Sequence, residues 1–286
     1  LLTITTPADL RKVRALCLQQ HILALLIGEG SNVLFSDAGW PGLLLRYSTD
    51  TVDPIQTEGG TFRCNAAVNL NQLVVWAAKN GWEGLEAFSG IPGTLGGAVV
   101  GNAGAWGVQM EHVLTRVYGV DASGTEISLS VTDCDFAYRD SKLKHSDLWV
   151  SEIDLQLQPG NREKLLEEHT RILELRAARH PDWKTLPCIG SFFKNLEPTS
   201  AAERRQAAGY FLEAAGAKEK TQGGAGVFTG HANILVKAQA ECRAADVAAL
   251  ARELQRAVKE KFDIDLVREV RYLGDIPGEE GGSGFY

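Results

Sequence analysis

The chain has 286 residues and 31.0 kDa, enough for one large domain or two ordinary ones, and its 44% hydrophobic and 23% charged content excludes a disordered, collagen-like or coiled-coil chain. A net charge of −7 and a pI near 5.5 speak against a general nucleic-acid binder, whose affinity comes from cations on phosphates. No apolar run approaches the roughly 18 residues of a membrane helix, no basic-then-apolar leader opens the chain, and the widely spaced cysteines form no Cys-x-x-Cys pair, so membrane insertion and metal binding are not expected and free thiols in the cytoplasm are.

Apolar periodicity predicts a helix over 8–20 with Leu10, Val13, Leu16 and Cys17 inward, then strands over 22–27, 43–47 and 62–68. A short helix over 70–80 is stopped by Gly81. Strands over 113–120 and 125–131 form a hairpin through Asp121-Ala-Ser-Gly124, and a strand over 148–157 follows. Asn161 is the expected N-cap of a long helix ending at Arg179, with Pro181 beyond it. Further helices are expected over 201–215 and 244–262, the second with Val247, Leu250, Ala251, Leu254 and Val258 in phase, and strands over 233–236 and 266–273. The change from glycine-rich strand texture to helical texture places a domain boundary near 159–161, giving domains over 1–159 and 160–275 and a disordered tail over 276–286.

Fifteen of the 30 glycines fall between Gly28 and Gly107, and two groups among them stand out. Gly28-Glu29-Gly30-Ser31-Asn32 follows an apolar strand, so it reads either as a plain turn or as a turn whose N–H groups face a phosphate. It is not the dinucleotide fingerprint, because Val33 stands where the third glycine belongs. Gly90-Ile91-Pro92-Gly93-Thr94-Leu95-Gly96-Gly97 and Asn102-Ala103-Gly104-Ala105-Trp106-Gly107 carry a glycine density that weakens regular helix or strand and exposes backbone to a ligand. Two adjacent tight turns are the plain alternative; an extended diphosphate such as that of FAD is the functional one. No Gly-Lys-Ser/Thr makes a Walker loop.

With Tyr138-Arg139-Asp-Ser141, Gly190-Ser191-Phe-Phe-Lys194-Asn195 and Glu269-Val-Arg271, these clusters stand in the order and approximate spacing of UDP-N-acetylenolpyruvoylglucosamine reductases. The chain resembles that family from about residue 1 to 275, in its shorter subtype without the tyrosine-bearing substrate loop. It starts beyond the family's usual N-terminal segment, and Leu196-Glu197-Pro198 replaces a proline directly after Asn195.

The resemblance implies an α+β fold: an FAD-binding half of two small α/β subdomains, PCMH-like, followed by a C-terminal α+β substrate domain. It implies a monomeric enzyme of peptidoglycan precursor synthesis that uses non-covalent FAD and NADPH to reduce UDP-N-acetylglucosamine enolpyruvate to UDP-N-acetylmuramate. The two glycine clusters would hold FAD. Arg139, which otherwise reads as a surface cation, would face the enol ether and carboxylate; Ser191, otherwise a turn residue, would give a proton to the carbanionic carbon; Glu269, otherwise part of a solvated Arg-Glu-Val-Arg strand, would hydrogen-bond as an acid to the same centre. Tyr138, Arg179, Lys194 and Asn195 would contact substrate, the last on the UDP part. Arg176 and Arg179 lie three apart, a spacing that puts two cations on one helix face. His231 reads as a structural histidine. Another FAD oxidoreductase of the superfamily would leave Ser191, Asn195 and Glu269 unexplained, and a flavin-binding module without turnover would not need them.

Overall fold

The computed structural model describes residues 1–198 and 205–278, which form two compact units. Of the described residues, the first holds 1–30 and 41–175, and the second holds 31–40, 176–198 and 205–278.

In the first unit, three parallel strands lie in the order Leu2–Ile4, Leu43–Tyr47, Ala24–Ile27. An antiparallel sheet of five runs Glu126–Ser130, Leu114–Val120, Trp149–Gln156, Thr61–Asn65, Ile55–Gln56. The expected hairpin is present: Gly124 takes φ +85°, which glycine supplies without steric cost, and Val120 pairs with Glu126. One core joins both sheets, with Leu45, Leu73, Phe88, Leu95 and Ile153 fully buried.

Helix α1, Pro7–Gln19, starts at an N-cap, Thr6, whose hydroxyl accepts the Asp9 N–H, with Pro7 in the first turn. Leu10 and Cys17 are buried as expected, but Leu16 is exposed and Arg14 is buried instead. The guanidinium of Arg14 donates to the Asp121 and Asp147 carbonyls, pairs with the Asp147 carboxylate at 2.7 Å and lies 4.5 Å from the Trp149 ring centre. That full set of partners makes its burial tolerable. Helix α2, Leu70–Lys79, is capped by Asn69 and followed by Gly81 at φ +73°.

Contrary to the expectation for the glycine-rich stretch, Leu95–Val100 forms a helix, α3. The Thr94 hydroxyl caps it by accepting the Gly97 N–H at 3.2 Å, and Gly96 serves close packing, because a Cβ there would come 3.1 Å from Ala66. Asn161 caps α4, Arg162–Ala177, through the Lys164 N–H. The units part after Leu175, not at 159–161, because the buried face of α4, Leu165, His169 and Ile172, belongs to the first unit and Gln158–Pro159 pairs with Trp82–Glu83 there.

In the second unit, an antiparallel sheet runs Cys188–Ser191, Ile234–Lys237, Ala225–Val227, Thr221–Gln222. The helix expected over 201–215 is shorter: residues 201–204 lie outside the described residues, Gln206 bridges to Leu196, and α5 spans Ala208–Ala214. Helix α6, Ala244–Phe262, packs on this sheet and on α5 with Val247, Leu250, Ala251, Leu254 and Val258 all buried. The last strand is only Arg271–Leu273, and it pairs in parallel with Val33–Phe35. Residues 279–286 of the expected disordered tail lie outside the described residues, whereas Ile276 is buried in the second core, so the ordered chain runs past 275. All five cysteines are free thiols.

Candidate active site

In the first unit the start of α2 organises both early glycine turns. Asn69 Nδ2 donates to Glu29 Oε1 at 2.9 Å, and Asn71 Oδ1 accepts the Gly90 N–H at 2.8 Å. A Cβ on Gly28 would run into the Thr94 side chain, so the main chain of the turn at 28–30 lies directly against Thr94 of the turn at 90–94. Gly30, Gly90 and Gly93 have φ of +75°, +71° and +110°, a region closed to most side chains. Ile91 and Pro92 complete the turn between Gly90 and Gly93.

The second turn is braced from below by a buried pair. His169 Nδ1 lies 2.9 Å from Ser89 Oγ, which itself donates to the Glu86 carbonyl at 2.7 Å. The Ser89 proton is thus committed, so Nδ1 of a neutral His169 is the donor. Desolvation lowers the His169 pKa. A folded-state pKa below the unfolded value makes the unfolded chain take up the proton first, so this contribution to stability is present above about pH 6.5 and is lost as pH falls through the lower folded value. His169→Asn, which keeps a donor near Nδ1, should flatten that part of a Tm-against-pH curve on the acid side.

In the turn after α3, Asn102 has φ +43° and is fully buried. Its Nδ2 donates to Glu111 Oε1 and the Ala137 carbonyl, both at 2.9 Å, and its Oδ1 accepts the Glu111 N–H at 3.2 Å. Asn102 therefore spends its side chain shaping the turn. Ala103 is tied by its N–H to Ala98 and by its carbonyl to Met110, while Gly104–Ala105 pairs with Val108–Gln109 around Trp106 and Gly107. Arg139 sits in a second tight turn at φ +56°, with reciprocal Ala137–Asp140 backbone bonds. Its Nη2 donates to the Gly104 carbonyl, and its guanidinium lies 5.1 Å from the Tyr138 ring centre. Arg139 and Tyr138 are thus placed at the third glycine turn, as the sequence spacing alone could not show.

In the second unit a register shift between Cys188 and Ser191 coincides with Gly190 at φ +76°, an irregularity directly before Ser191. The following residue ties Ser191 to Glu269: the Glu269 N–H donates to the Phe192 carbonyl at 2.9 Å, and the Lys194 N–H donates to the Val267 carbonyl at 2.8 Å. Glu269 is therefore not inside the last strand as expected but in the irregular run before it, where Arg268 bridges to Phe193. Asn32, from the first glycine motif, belongs to this unit; its carbonyl accepts the Arg271 N–H at 3.2 Å, and its Nδ2 reaches the Glu269 carbonyl at 3.5 Å. Ser31 precedes it in the same unit.

Asn195 Oδ1 accepts the Ala208 N–H at 3.1 Å at the start of α5, so its side chain is tied to that helix. Arg179 lies beyond the end of α4 and is exposed, so Arg176 and Arg179 do not share a helix face. Among the described residues no group of three or more His, Cys, Asp or Glu could hold a metal ion.

Profiles for an FAD binding domain and for the C-terminal domain of UDP-N-acetylenolpyruvoylglucosamine reductase match residues 1–130 and 181–273. A reductase of that name from Carboxydothermus hydrogenoformans is 34% identical over 87% of this chain and 79% of its own. The one from Synechococcus sp. strain JA-3-3Ab is 38% identical over 94% of this chain and 83% of its own. The chain belongs to the UDP-N-acetylenolpyruvoylglucosamine reductase family. The crystal structure of the Thermus caldophilus reductase superposes with a TM-score of 0.75 at 27% identity, covering 94% of this chain and 90% of that one. The α+β fold and FAD-dependent oxidoreductase character expected from the motifs are therefore those of this chain.

The FAD-binding domain profile covers the glycine turns at 28–30, 90–97 and 102–107. Gly30 and Gly107 have positive φ and open space where a Cβ would stand, the kind of side-chain-free turn that can face a phosphate. Gly28→Val must push Thr94 away and part the two turns. We expect FAD affinity to fall by about an order of magnitude or more, read from flavin fluorescence titration, a size typical of forced backbone displacement.

Proposed function

We propose that this chain reduces the enolpyruvyl double bond of UDP-N-acetylglucosamine enolpyruvate to give UDP-N-acetylmuramate, with NADPH as hydride donor, in the cytoplasm and as a monomer. The observation that carries this reading is the backbone pairing that holds the Ser191 and Glu269 segments together in a unit matched by the reductase's C-terminal profile. FAD would be held non-covalently by Gly28, Glu29 and Gly30, by the turns 90–97 and 102–107, and by Ser31 and Asn32, and when bound it supplies the hydride chemistry between NADPH and the terminal enolpyruvyl carbon.

The protein's own groups complete the addition. The Ser191 hydroxyl gives its proton to the carbon next to the carboxylate, so one hydride and one proton saturate the double bond. Negative charge builds on that carbon and its carboxylate. The Arg139 guanidinium meets it as a fixed cation, and Glu269 meets it as a hydrogen-bonding acid. Tyr138 packs the Arg139 guanidinium, and Arg179, Lys194 and the Asn195 amide address the nucleotide.

The experiment is direct. Purified protein, reconstituted with FAD, should show a flavin spectrum and oxidise NADPH only when the enolpyruvyl nucleotide is added. A protein that takes up no flavin overturns the reading, and one that binds flavin without substrate-dependent turnover is a binding module instead.

A further inference from the structure

Asn233 immediately precedes the strand Ile234–Lys237 and is 2% exposed. Its side chain serves the main chain of Phe193 in both directions: the Phe193 N–H donates to Asn233 Oδ1 at 2.9 Å, and Asn233 Nδ2 donates to the Phe193 carbonyl at 2.8 Å. Its own carbonyl accepts the Phe192 N–H at 2.8 Å. Used this way, the amide acts as an extra peptide unit. It continues the pairing of the two strands past Ser191, the residue at which Cys188–Ser191 ends.

The other side of the same segment is bonded to the run that carries Glu269, through the Phe192 carbonyl and the Lys194 N–H. Residues 192–194 are therefore the middle of three backbone runs, with Ser191 directly before them and Glu269 bonded to their first residue. Asn233 is itself oriented, because its N–H donates to His231 Nδ1 at 3.1 Å, the role that makes His231 structural. Phe192 and Phe193 are at most 1% exposed, so their main-chain groups have no water to fall back on.

We propose that Asn233 is a positioning residue for proton delivery: it clamps the Phe192–Phe193 main chain and so fixes the Ser191 hydroxyl, and with it the Glu269 segment, in the reactive geometry. This rests on the reading of Ser191 and Glu269 as catalytic. A proton donor acts only within hydrogen-bond reach of its acceptor, so a small shift of the segment is felt in that step and not in flavin reduction.

Asn233→Asp keeps an acceptor for the Phe193 N–H and replaces the donor by an oxygen facing the Phe193 carbonyl; Asn233→Leu removes both bonds. In FAD-loaded full-length protein, stopped-flow absorbance should show NADPH-driven bleaching within about twofold of the parent and substrate-driven reoxidation slowed about tenfold or more, with a smaller effect of Asn233→Asp in a Ser191→Ala background than in the parent. Equal slowing of both phases, unchanged reoxidation, or full additivity with Ser191→Ala overturns the proposal. If Ser191→Ala alone leaves reoxidation unchanged, it is the catalytic reading of Ser191 that fails. Should neither Asn233 variant fold, amide exchange in the parent protein decides: the Phe193 N–H should rank with the slowest of its unit, and a fast-exchanging Phe193 N–H removes the clamp.

Discussion

Ser191→Ala should leave NADPH-dependent bleaching of the flavin nearly intact and slow its reoxidation by the enolpyruvyl nucleotide by about 10² or more, the usual loss when a general acid is removed. The substitution deletes one hydroxyl and no backbone bond. Pairing of Ser191 with Ile234, the Phe192 N–H to Asn233 bond and the burial of both phenylalanines all persist, so the fold and the nucleotide contacts stay in place. Substrate KM should accordingly change little. If the NADPH phase slows equally, Ser191 places the flavin rather than a proton; if neither phase responds, Ser191 is only the residue that follows a bulge.

Glu269→Ala should cost reoxidation roughly 10² to 10³, the range for removing one preorganised hydrogen-bond partner of a developing anion. The main chain at this position is held independently of the side chain, by the Glu269 N–H to the Phe192 carbonyl. The variant thus removes a functional group without releasing the segment. Glu269→Gln makes the test sharper. An amide N–H can replace an acid O–H as a donor, so Gln should recover much of the rate if Glu269 stabilises charge. A Gln variant as slow as the Ala variant, beside a silent Ser191→Ala, would show that Glu269 itself delivers the proton and would exchange the two roles.

The clearest local signals were read correctly where a residue's partners lie within a turn or two. Asn161 caps its helix within three residues of itself, and the apolar stripe of α6 is a property of its own periodicity. What failed depended on distant partners. Arg14 is buried because of Asp121 and Asp147, more than 100 residues away, and nothing near it in sequence distinguishes it from a solvated arginine. The Glu269 run looks like a strand, yet its first half pairs with residues 192–194 and only its second half with Val33–Phe35.

The site shows the same division. Glycine turns and the Ser191 and Glu269 motifs were visible because their residue types are unusual or their order matches a family. Asn69, Asn71, Asn102 and Asn233 were passed over or assigned to a ligand, because an asparagine that braces a turn looks in sequence like any cap or loop residue.

The path of the chain through the first glycine motif has a practical consequence. Gly28, Glu29 and Gly30 belong to one compact unit and Ser31 to Trp40 to the other, so the second unit is not one continuous stretch of polypeptide. A fragment beginning at Arg176 would lack Val33–Phe35, the parallel neighbour of Arg271–Leu273, and would expose an unpaired strand edge where the intact protein has a sheet contact. During synthesis on the ribosome, likewise, residues 31–40 emerge long before the strand they pair with, and that pairing cannot form until residues 271–273 have emerged. Trimming the gene to isolate that half, or splitting it for reassembly, must therefore carry the decapeptide 31–40 along.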